Sequence, residues 1–449
     1  MLYDLVLKNG RIVDPAQQLD RVADIAILGG KIVAIEPNIS RSRLKREINV
    51  AGLLVVPGLI DVHIHTNLMS TPESLDVDEW GVRAGCTRVV DAGETGAYNW
   101  HRYHRQITSQ AKTRIHNWLQ CVALGGPMFG LYNTDRILHH TLIDIDATVK
   151  LLSMYPQHIK GIKCYATPEL WGQHDGSEIL DKTIEICNQA KVPVYTHCAT
   201  PVPDGGVVYG AKPMMFGEEV TAERMLDKWL SKMRPGDIIC HVFTNLKGPW
   251  HMTEKRLSAG IKESYDRGIL FDTARGSHNS YEALRGLLDH GLVPQIISSD
   301  AHASDGHDQW DRPANYDLPT CMSEMMAFGM SLEDVILRAS TNPAKALGIS
   351  EEAGSIQIGR NAELTVLFER EGKFRFADKP YTGGAPEVVE GKTMLTPVLT
   401  VLNGKVFNCN PAFLPDIGRP QMQEDVWSWM HSRPDRPHEY TLSDLEKKK

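Results

Sequence analysis

The sequence predicts an α/β fold, a (β/α)8 TIM barrel with a small β-sandwich domain formed from both chain ends. Three observations predict it. Strand-like runs alternate with amphipathic stretches through the middle of the chain, as parallel strands under a ring of helices require. Both ends instead carry short β-rich runs broken by turn residues. And 449 residues are too many for one small domain but fit a barrel with an appended one.

The N-terminal runs come first. Leu5-Val6-Leu7, Arg11-Ile12-Val13, Ala23–Ile27 and Lys31–Ile35 are separated by Asn9-Gly10, Asp14-Pro15 and Gly29-Gly30. They read as strands in hairpins, and Gly-Gly suits a tight connection. Similar pieces return late, at Ala362–Leu367 and Pro397–Val406. The expected division is residues 1–57 with 350–406 as the small β-domain, 58–349 as the barrel and 407–449 as a tail. Prolines punctuate that tail, and it ends Lys447-Lys448-Lys449; it reads as a segment wrapping a surface, its own or a neighbour's. The barrel strands are expected at Leu59–His63, Thr87–Asp91, Ile115–Ala123, Ile159–Tyr165, Val192–His197, Asp237–Phe243, Ile269–Thr273 and Pro294–Ser299. Leu180–Gln189 and Tyr281–Asp289 are amphipathic stretches between them.

Composition narrows the function classes. The chain is 42% hydrophobic and 23% charged with a formal net charge of -8, which gives no support to nucleic-acid binding. Its N-terminus lacks the basic and apolar regions of a signal peptide, and no run of about 18 apolar residues stands out for a membrane span. A cytoplasmic chain is expected. The eight cysteines show no paired spacing and read as reduced, buried thiols. Cys164, Cys198 and Cys240 each neighbour a candidate ligand, and alternation along a strand points all three toward the helix layer.

Active sites of such barrels lie at the C-terminal ends of the strands, so polar residues there carry the chemistry. Strand one ends His63-Ile64-His65, and an extended His-x-His sets both imidazoles on one face, able to grip one cation. Strand four ends Gly161-Ile162-Lys163-Cys164-Tyr165. A lysine inside an apolar strand is costly to bury as a cation, and removal from water favours neutral amines. A neutral amine can add carbon dioxide and become a carbamate whose two oxygens bridge two metals. The other reading of Lys163 is a lysine snorkelling from the strand end; Lys160 is its competitor on the opposite face. Strands five and six end in His197 and His241, and strand eight ends Ser299-Asp300-Ala301-His302. Asp300 can ligate a metal and accept a proton. Each residue alone is a weak signal; their joint occurrence at five strand ends is not.

At these residues the chain resembles the amidohydrolase superfamily. Val56–His65 looks like its opening signature, and Asn342–Gly348 with Gly354–Gly359 is similar to its return into the small β-domain. The resemblance covers roughly residues 3–405 and lies nearest to the dihydroorotases, hydantoinases and deacetylase-like enzymes. It implies a carboxylated Lys163 bridging two divalent metals, usually zinc, with His63, His65, His197, His241 and Asp300 as the other ligands. Departures exist. Thr66-Asn67 stand where dihydroorotases place a Leu-Arg pair. His197 is followed by Cys198-Ala199-Thr200 and not by the H-x-x-E of deaminases. The D-x-x-H-G stretch of the deacetylase-like group reads Asp272-Thr273-Ala274-Arg275-Gly276.

The expected reaction is cleavage of an amide-type C–N bond, cyclic or acyclic, by a metal-bridging hydroxide, with Asp300 as proton shuttle. An ester or lactone hydrolase using the same centre is the alternative, and a non-catalytic scaffold is the third reading. Tyr165 is either an oxyanion donor or an aromatic packed above the barrel. Arg275 and His278 lie on the loop after strand seven as substrate contacts. Arg275 can clamp a carboxylate in two hydrogen bonds, or pair structurally with Asp272 or Asp305. The expected partners are a small-molecule substrate, anionic where Arg275 clamps it, and further copies of this chain.

Overall fold

The N-terminal strands pair largely as their turn residues predict. In the computed structural model, residues 2–68, 74–125, 140–165, 177–198, 222–245, 248–276, 279–302, 316–378 and 386–409 are described. The first strands are β1 (Leu5–Asp14), β2 (Leu19–Leu28), β3 (Lys31–Glu36), β4 (Glu47–Asn49) and β5 (Leu54–Pro57). Gly29-Gly30 makes the tight turn between β2 and β3, with Leu28 opposite Lys31. Asn9-Gly10 is not a turn. It sits within β1 as a register shift between Leu7 and Gly10, with Asn9 in the left-handed region at φ 62°. A bulge absorbs the turn-forming pair without ending the strand.

The late strands β15 (Glu363–Ala377), β16 (Val388–Leu402) and β17 (Lys405–Asn408) join the same sheet, whose order is β17-β16-β15-β5-β1-β2-β3 with β4 beside β1. The junction is antiparallel, Leu364 opposite Pro57. Both chain ends therefore build one sheet of eight strands. Leu5, Leu7, Ile12, Ile25, Ile27, Val55, Leu364, Val366 and Val401 form its own apolar cluster.

The middle of the chain forms a curled parallel sheet. Its strands are β6 (Leu59–Ile64), β7 (Cys86–Ala92), β8 (Arg114–Gln120), β9 (Ile159–Tyr165), β10 (Val194–His197), β11 (Ile238–Cys240) and, after the short ribbon of β12 (Trp250–His251) and β13 (Arg256–Leu257), β14 (Leu270–Phe271). They follow one another from β6 to β14 in sequence order, all parallel. Ile60, Val62, Val90, Trp118, Tyr195, Ile238 and Ile296 pack together on one side, with Trp118 stacked on Tyr195 at 5.1 Å. A second, larger cluster includes Leu119, Ile162, Cys164, Leu180, Leu284 and Leu287. Helices Ser177–Ala190 and Tyr281–Asp289 contain the two amphipathic stretches seen in the sequence.

The strand ends differ from expectation. No named strand covers Pro294–Ser299; single parallel bridges join Asp272 to Ile296 and Ile64 to Ala301. Backbone hydrogen bonds from Thr273 N to Ile296 O (3.2 Å) and from Asp300 N to His63 O (2.8 Å) set this segment between β14 and β6. β11 and β14 also stop early. His241 (φ 60°), Ala274 (φ 36°) and Asp300 (φ 49°) are left-handed and leave the extended path there. Of the tail, residues 410–449 lie outside the described residues.

Candidate metal centre

The strand ends bring His63, His65, Lys163, His241 and Asp300 together. His63 Nε2 lies 3.1 Å and His65 Nε2 3.2 Å from Asp300 Oδ1. Lys163 Nζ lies 3.5 Å from His63 Nε2. The His241 ring is 5.1 Å from that of His63 and 4.3 Å from that of His197. Tyr165 is half-buried at the end of β9, its ring 5.0 Å from His197 and 5.3 Å from Lys163 Nζ. His278, expected as a substrate contact, lies outside the described residues.

Each central histidine has its Nδ1 engaged from behind. His65 Nδ1 meets Glu94 Oε1 at 2.6 Å, and His241 Nδ1 meets the Ala274 carbonyl at 2.8 Å. His63 Nδ1 lies 2.8 Å from the Tyr195 hydroxyl, which itself donates to the Asp272 carboxylate. For His63 and His241 the Nδ1–H is the donor, which leaves the lone pair on Nε2 to ligate, whereas His65 is bonded through both nitrogens, Nδ1 to Glu94 and Nε2 to Asp300. That orientation by an outer partner is how protein imidazoles are presented to metals. Ser298 Oγ completes the Asp272 side at 2.8 Å, and Asp61 takes the Ser299 hydroxyl and the Ser299 N–H at 3.1 Å. Glu94, Tyr195 and Asp61 were not singled out in the sequence as supports. Only the adjacency of Glu94 to the end of β7 could have raised it.

Electrostatics separate the groups. Burial pushes the Asp300 carboxyl up, but the charges of His63 and His241 and the His65 bond outweigh it and hold it well below the ordinary range. Asp300 is thus ionised, the form a proton acceptor needs. Burial, then the Lys163 charge, hold His63 well below its ordinary value. For His65 burial works the other way from the Asp300 and Glu94 bonds, and the bonds win, raising it. Burial lifts Asp272 to about 7.

The donor set suits metal ions. The ligand atoms of His63, His65 and Asp300 lie within 4.8 Å of one another, as do those of His63, Cys240 and His241. Buried Glu94 Oε2 has no hydrogen-bond partner among the described residues. Lys163 is 1% exposed, and among the described residues no carboxylate stands within ion-pair distance of Nζ. Its neighbours are His63 Nε2, Cys240 Sγ at 3.7 Å and the Tyr195 ring at 4.8 Å.

Cys240 corrects the reading that all three thiols face the helices. Cys164 and Cys198 belong to the larger cluster, and Cys164 Sγ lies 3.6 Å from Cys121 Sγ. Cys240 packs with Trp118 and Tyr195 against Lys163. Alternation needs extended backbone, and the left-handed His241 lets residues 240 and 241 both reach the centre. Burial pushes the Cys240 thiol up to about 12, so it stays protonated.

Arg275 is buried among protein groups. Its Nε donates to Glu324 Oε1 (3.3 Å), Nη2 donates to the Ala377 carbonyl (2.6 Å), and the Tyr316 ring lies 3.6 Å from Cζ. Among the described residues its carboxylate partner is Glu324 and not Asp272; Asp305 lies outside the described residues.

Comparison with known proteins adds a family. The amidohydrolase family matches residues 243–407. A deacetylase of Enterococcus faecalis is 25% identical over 411 residues, 91% of this chain and 100% of the relative. A deacetylase of Brucella anthropi is 27% identical over 351 residues, 78% of this chain and 80% of its own. The solved structure of an adenine deaminase is similar with a TM-score of 0.75 at 23% identity, covering 90% of this chain and 100% of that one. That of a dihydroorotase is similar with a TM-score of 0.73, also at 23% identity, covering 90% and 98%. No described helix is long and apolar enough to cross a membrane. The match to the amidohydrolase family thus spans the last part of the barrel region and the late strands, and the relatives that align with most of the chain are named deacetylases.

Proposed function

We propose that this protein hydrolyses an amide-type C–N bond, in an N-acyl compound or a cyclic amide. The observation that carries the reading is the ionised Asp300 carboxylate set 3.1–3.2 Å from the Nε2 atoms of His63 and His65, beside a buried lysine with no carboxylate in ion-pair distance among the described residues. The names of the two deacetylases support it. Two divalent metal ions, zinc in our reading, would be held by His63, His65, Lys163, His197, His241 and Asp300, and when bound they acidify water and polarise a carbonyl. Asp300 accepts the proton of the attacking water and returns it to the leaving amine. Glu94 and Tyr195 keep His65 and His63 in one tautomer throughout. Carboxylation of Lys163 would give its buried end two acceptor oxygens and a negative charge that metal ions can share. In this reading the parallel sheet and segment 296–301 form a closed eight-unit barrel at 58–349. Residues 1–57 and 350–406 then form the small β-domain.

Purified protein prepared with zinc and bicarbonate should carry about two metal ions per chain, the number this ligand set holds. A panel of N-acyl amino compounds, hydantoins, dihydroorotate and acetyl esters should show turnover on an amide substrate. Metal content near zero with zinc, manganese, cobalt and nickel alike would sink the reading. Turnover on esters or lactones only would replace it with the alternative. Asp300→Asn should abolish turnover while part of the metal remains; ordinary turnover in that variant would remove Asp300 from the proton-transfer role.

A further inference from the structure

Gln120 and Lys163 are register partners on the neighbouring parallel strands β8 and β9, and residues paired in this way project from the same face of a sheet. Both are buried, Gln120 at 0% and Lys163 at 1% exposure. The Gln120 amide is oriented by its oxygen. Oε1 accepts from the Cys121 N–H at 3.0 Å and from the Cys121 thiol at 3.3 Å. Its nitrogen, Nε2, has no hydrogen-bond partner among the described residues.

Gly93 shows where that nitrogen faces. A β-carbon at Gly93 would stand 2.7 Å from Lys163 Cγ and 3.3 Å from Gln120 Nε2, so the lysine stem and the amide border one point. The amide N–H, without an acceptor among the described residues, therefore lies beside the lysine stem. Buried donors are rarely left so. An anionic acceptor carried by the lysine would satisfy it.

We propose that Gln120 is the hydrogen-bond donor that holds the carboxylated form of Lys163, its Nε2–H donating to a carbamate oxygen. This rests on the carboxylation reading above. In the covalent step the lone pair of neutral Nζ bonds to the carbon of carbon dioxide. One C–O π pair moves onto oxygen, and a proton leaves nitrogen for water. A group that is a donor at its end thereby gains two acceptor oxygens and a negative charge. Gln120 is complementary to that product and not to the ammonium ion, so it biases the site toward the modified state. The missing β-carbon of Gly93 keeps the space open.

The test uses full-length zinc-loaded protein with carbon-13 bicarbonate, following the carbamate carbon by NMR and counting metal per chain. Wild type should take up label. Gln120→Met keeps the length of the side chain and removes the donor. It should need at least about tenfold more bicarbonate for half-labelling, the scale for losing an outer partner of a metal ligand. Gln120→Glu sets a carboxylate beside the amine, favouring the ammonium, and should take up no label while circular dichroism shows a folded chain. Wild-type bicarbonate dependence in Gln120→Met would overturn the role of Gln120 and leave carboxylation standing. If Gln120→Met does not fold, Gln120→Glu decides, and label at the wild-type bicarbonate level overturns the proposal. An unlabelled wild type, with both metals retained in Lys163→Ala, would overturn carboxylation and this proposal with it.

Discussion

A β-carbon on Gly276 would stand 1.8 Å from Asp300 Oδ2, so the loop after β14 presses bare backbone against the candidate proton shuttle. Gly276 is left-handed at φ 32°, and its N–H is tied to the Ser299 carbonyl at 2.9 Å, so it cannot back away cheaply. Asp300 is equally constrained, being left-handed itself and bonded through its N–H to the His63 carbonyl. In Gly276→Ala the carboxylate must yield. Turnover should fall about 100-fold or more, the scale for displacing a reacting group by an ångström. Kinetics on the first active substrate and metal analysis check this, and wild-type turnover in Gly276→Ala would mean the loop moves freely.

Glu94 orients His65, with Oε1 2.6 Å from Nδ1. Glu94→Gln keeps the shape but replaces a carboxylate acceptor with a neutral one. Metal affinity should drop about 10- to 100-fold with the fold intact. Competition with a chromophoric chelator measures it. Unchanged affinity would remove Glu94 from the support of the centre.

Lys163→Ala should lose at least one metal ion and nearly all activity, and short carboxylic acids should restore part of it by filling the vacated space. Lys160 offers the control, since its Nζ bonds the Pro156 carbonyl at 2.8 Å at the other end of the strand. Lys160→Ala should change little. Equal damage from both substitutions would reduce Lys163 to a structural residue.

Asp317 gives a pH signature away from the centre. It caps helix Leu318–Ala327, accepting from Thr320 N at 2.9 Å, and burial pushes its carboxyl up to about 6 from 3.8. The folded-state value lies above the unfolded one, so the group favours folding below about pH 4 and that contribution is lost as pH rises through 6. Asn caps about as well as Asp and cannot ionise. The gain of Asp317→Asn over wild type should therefore build up between about pH 4 and 6 and level off above, at roughly 2–3 kcal/mol by pH 8. Urea unfolding across that range checks it; a gain independent of pH would refute the assignment.

Much of this was legible in the sequence because period-two alternation and strand ends are local signals. His63-Ile64-His65 and Lys163 stand where the strand pattern put them, and β9 spans the expected Ile159–Tyr165. What escaped was non-local or without a sequence mark. Tyr195 meets His63 across 132 positions, and Gln120 acquires meaning only beside Lys163. The left-handed turns at His241, Ala274 and Asp300 fall on residues other than glycine, where the sequence does not mark them, so nothing announced that β11 would end at Cys240 or that Cys240 would turn inward. Such conformations cost about 1–3 kcal/mol each and gather at functional sites.

Arg275 is where local signals pointed to a substrate clamp and distant contacts define the partners. Its guanidinium bonds Glu324, 49 positions away, and the Ala377 carbonyl, 102 positions away, under the Tyr316 ring. Glu324 Oε1 also accepts from Tyr281 (2.7 Å) and Asn279 (3.2 Å), so the arginine supplies the charge and the others complete the shell. Arg275→Met would leave Glu324 buried without its counter-charge. Breaking such a pair costs about 3–5 kcal/mol, so the variant should melt early. Gly276 follows immediately and touches the Asp300 side, so activity should fall on anionic and neutral substrates alike. The loss should also depend on pH. Burial already raises the Glu324 carboxyl and Arg275 lowers it. Without the arginine, Glu324 takes up a proton more readily, and the deficit should shrink as pH falls and grow as pH rises. Arg275→Met with Glu324→Gln should recover part of the stability at neutral pH, because no buried charge remains unpaired. Urea unfolding of the two variants at several pH values decides it. A clamp would behave differently: unchanged stability, and a specificity constant weakened by about 2–3 kcal/mol for anionic substrates only.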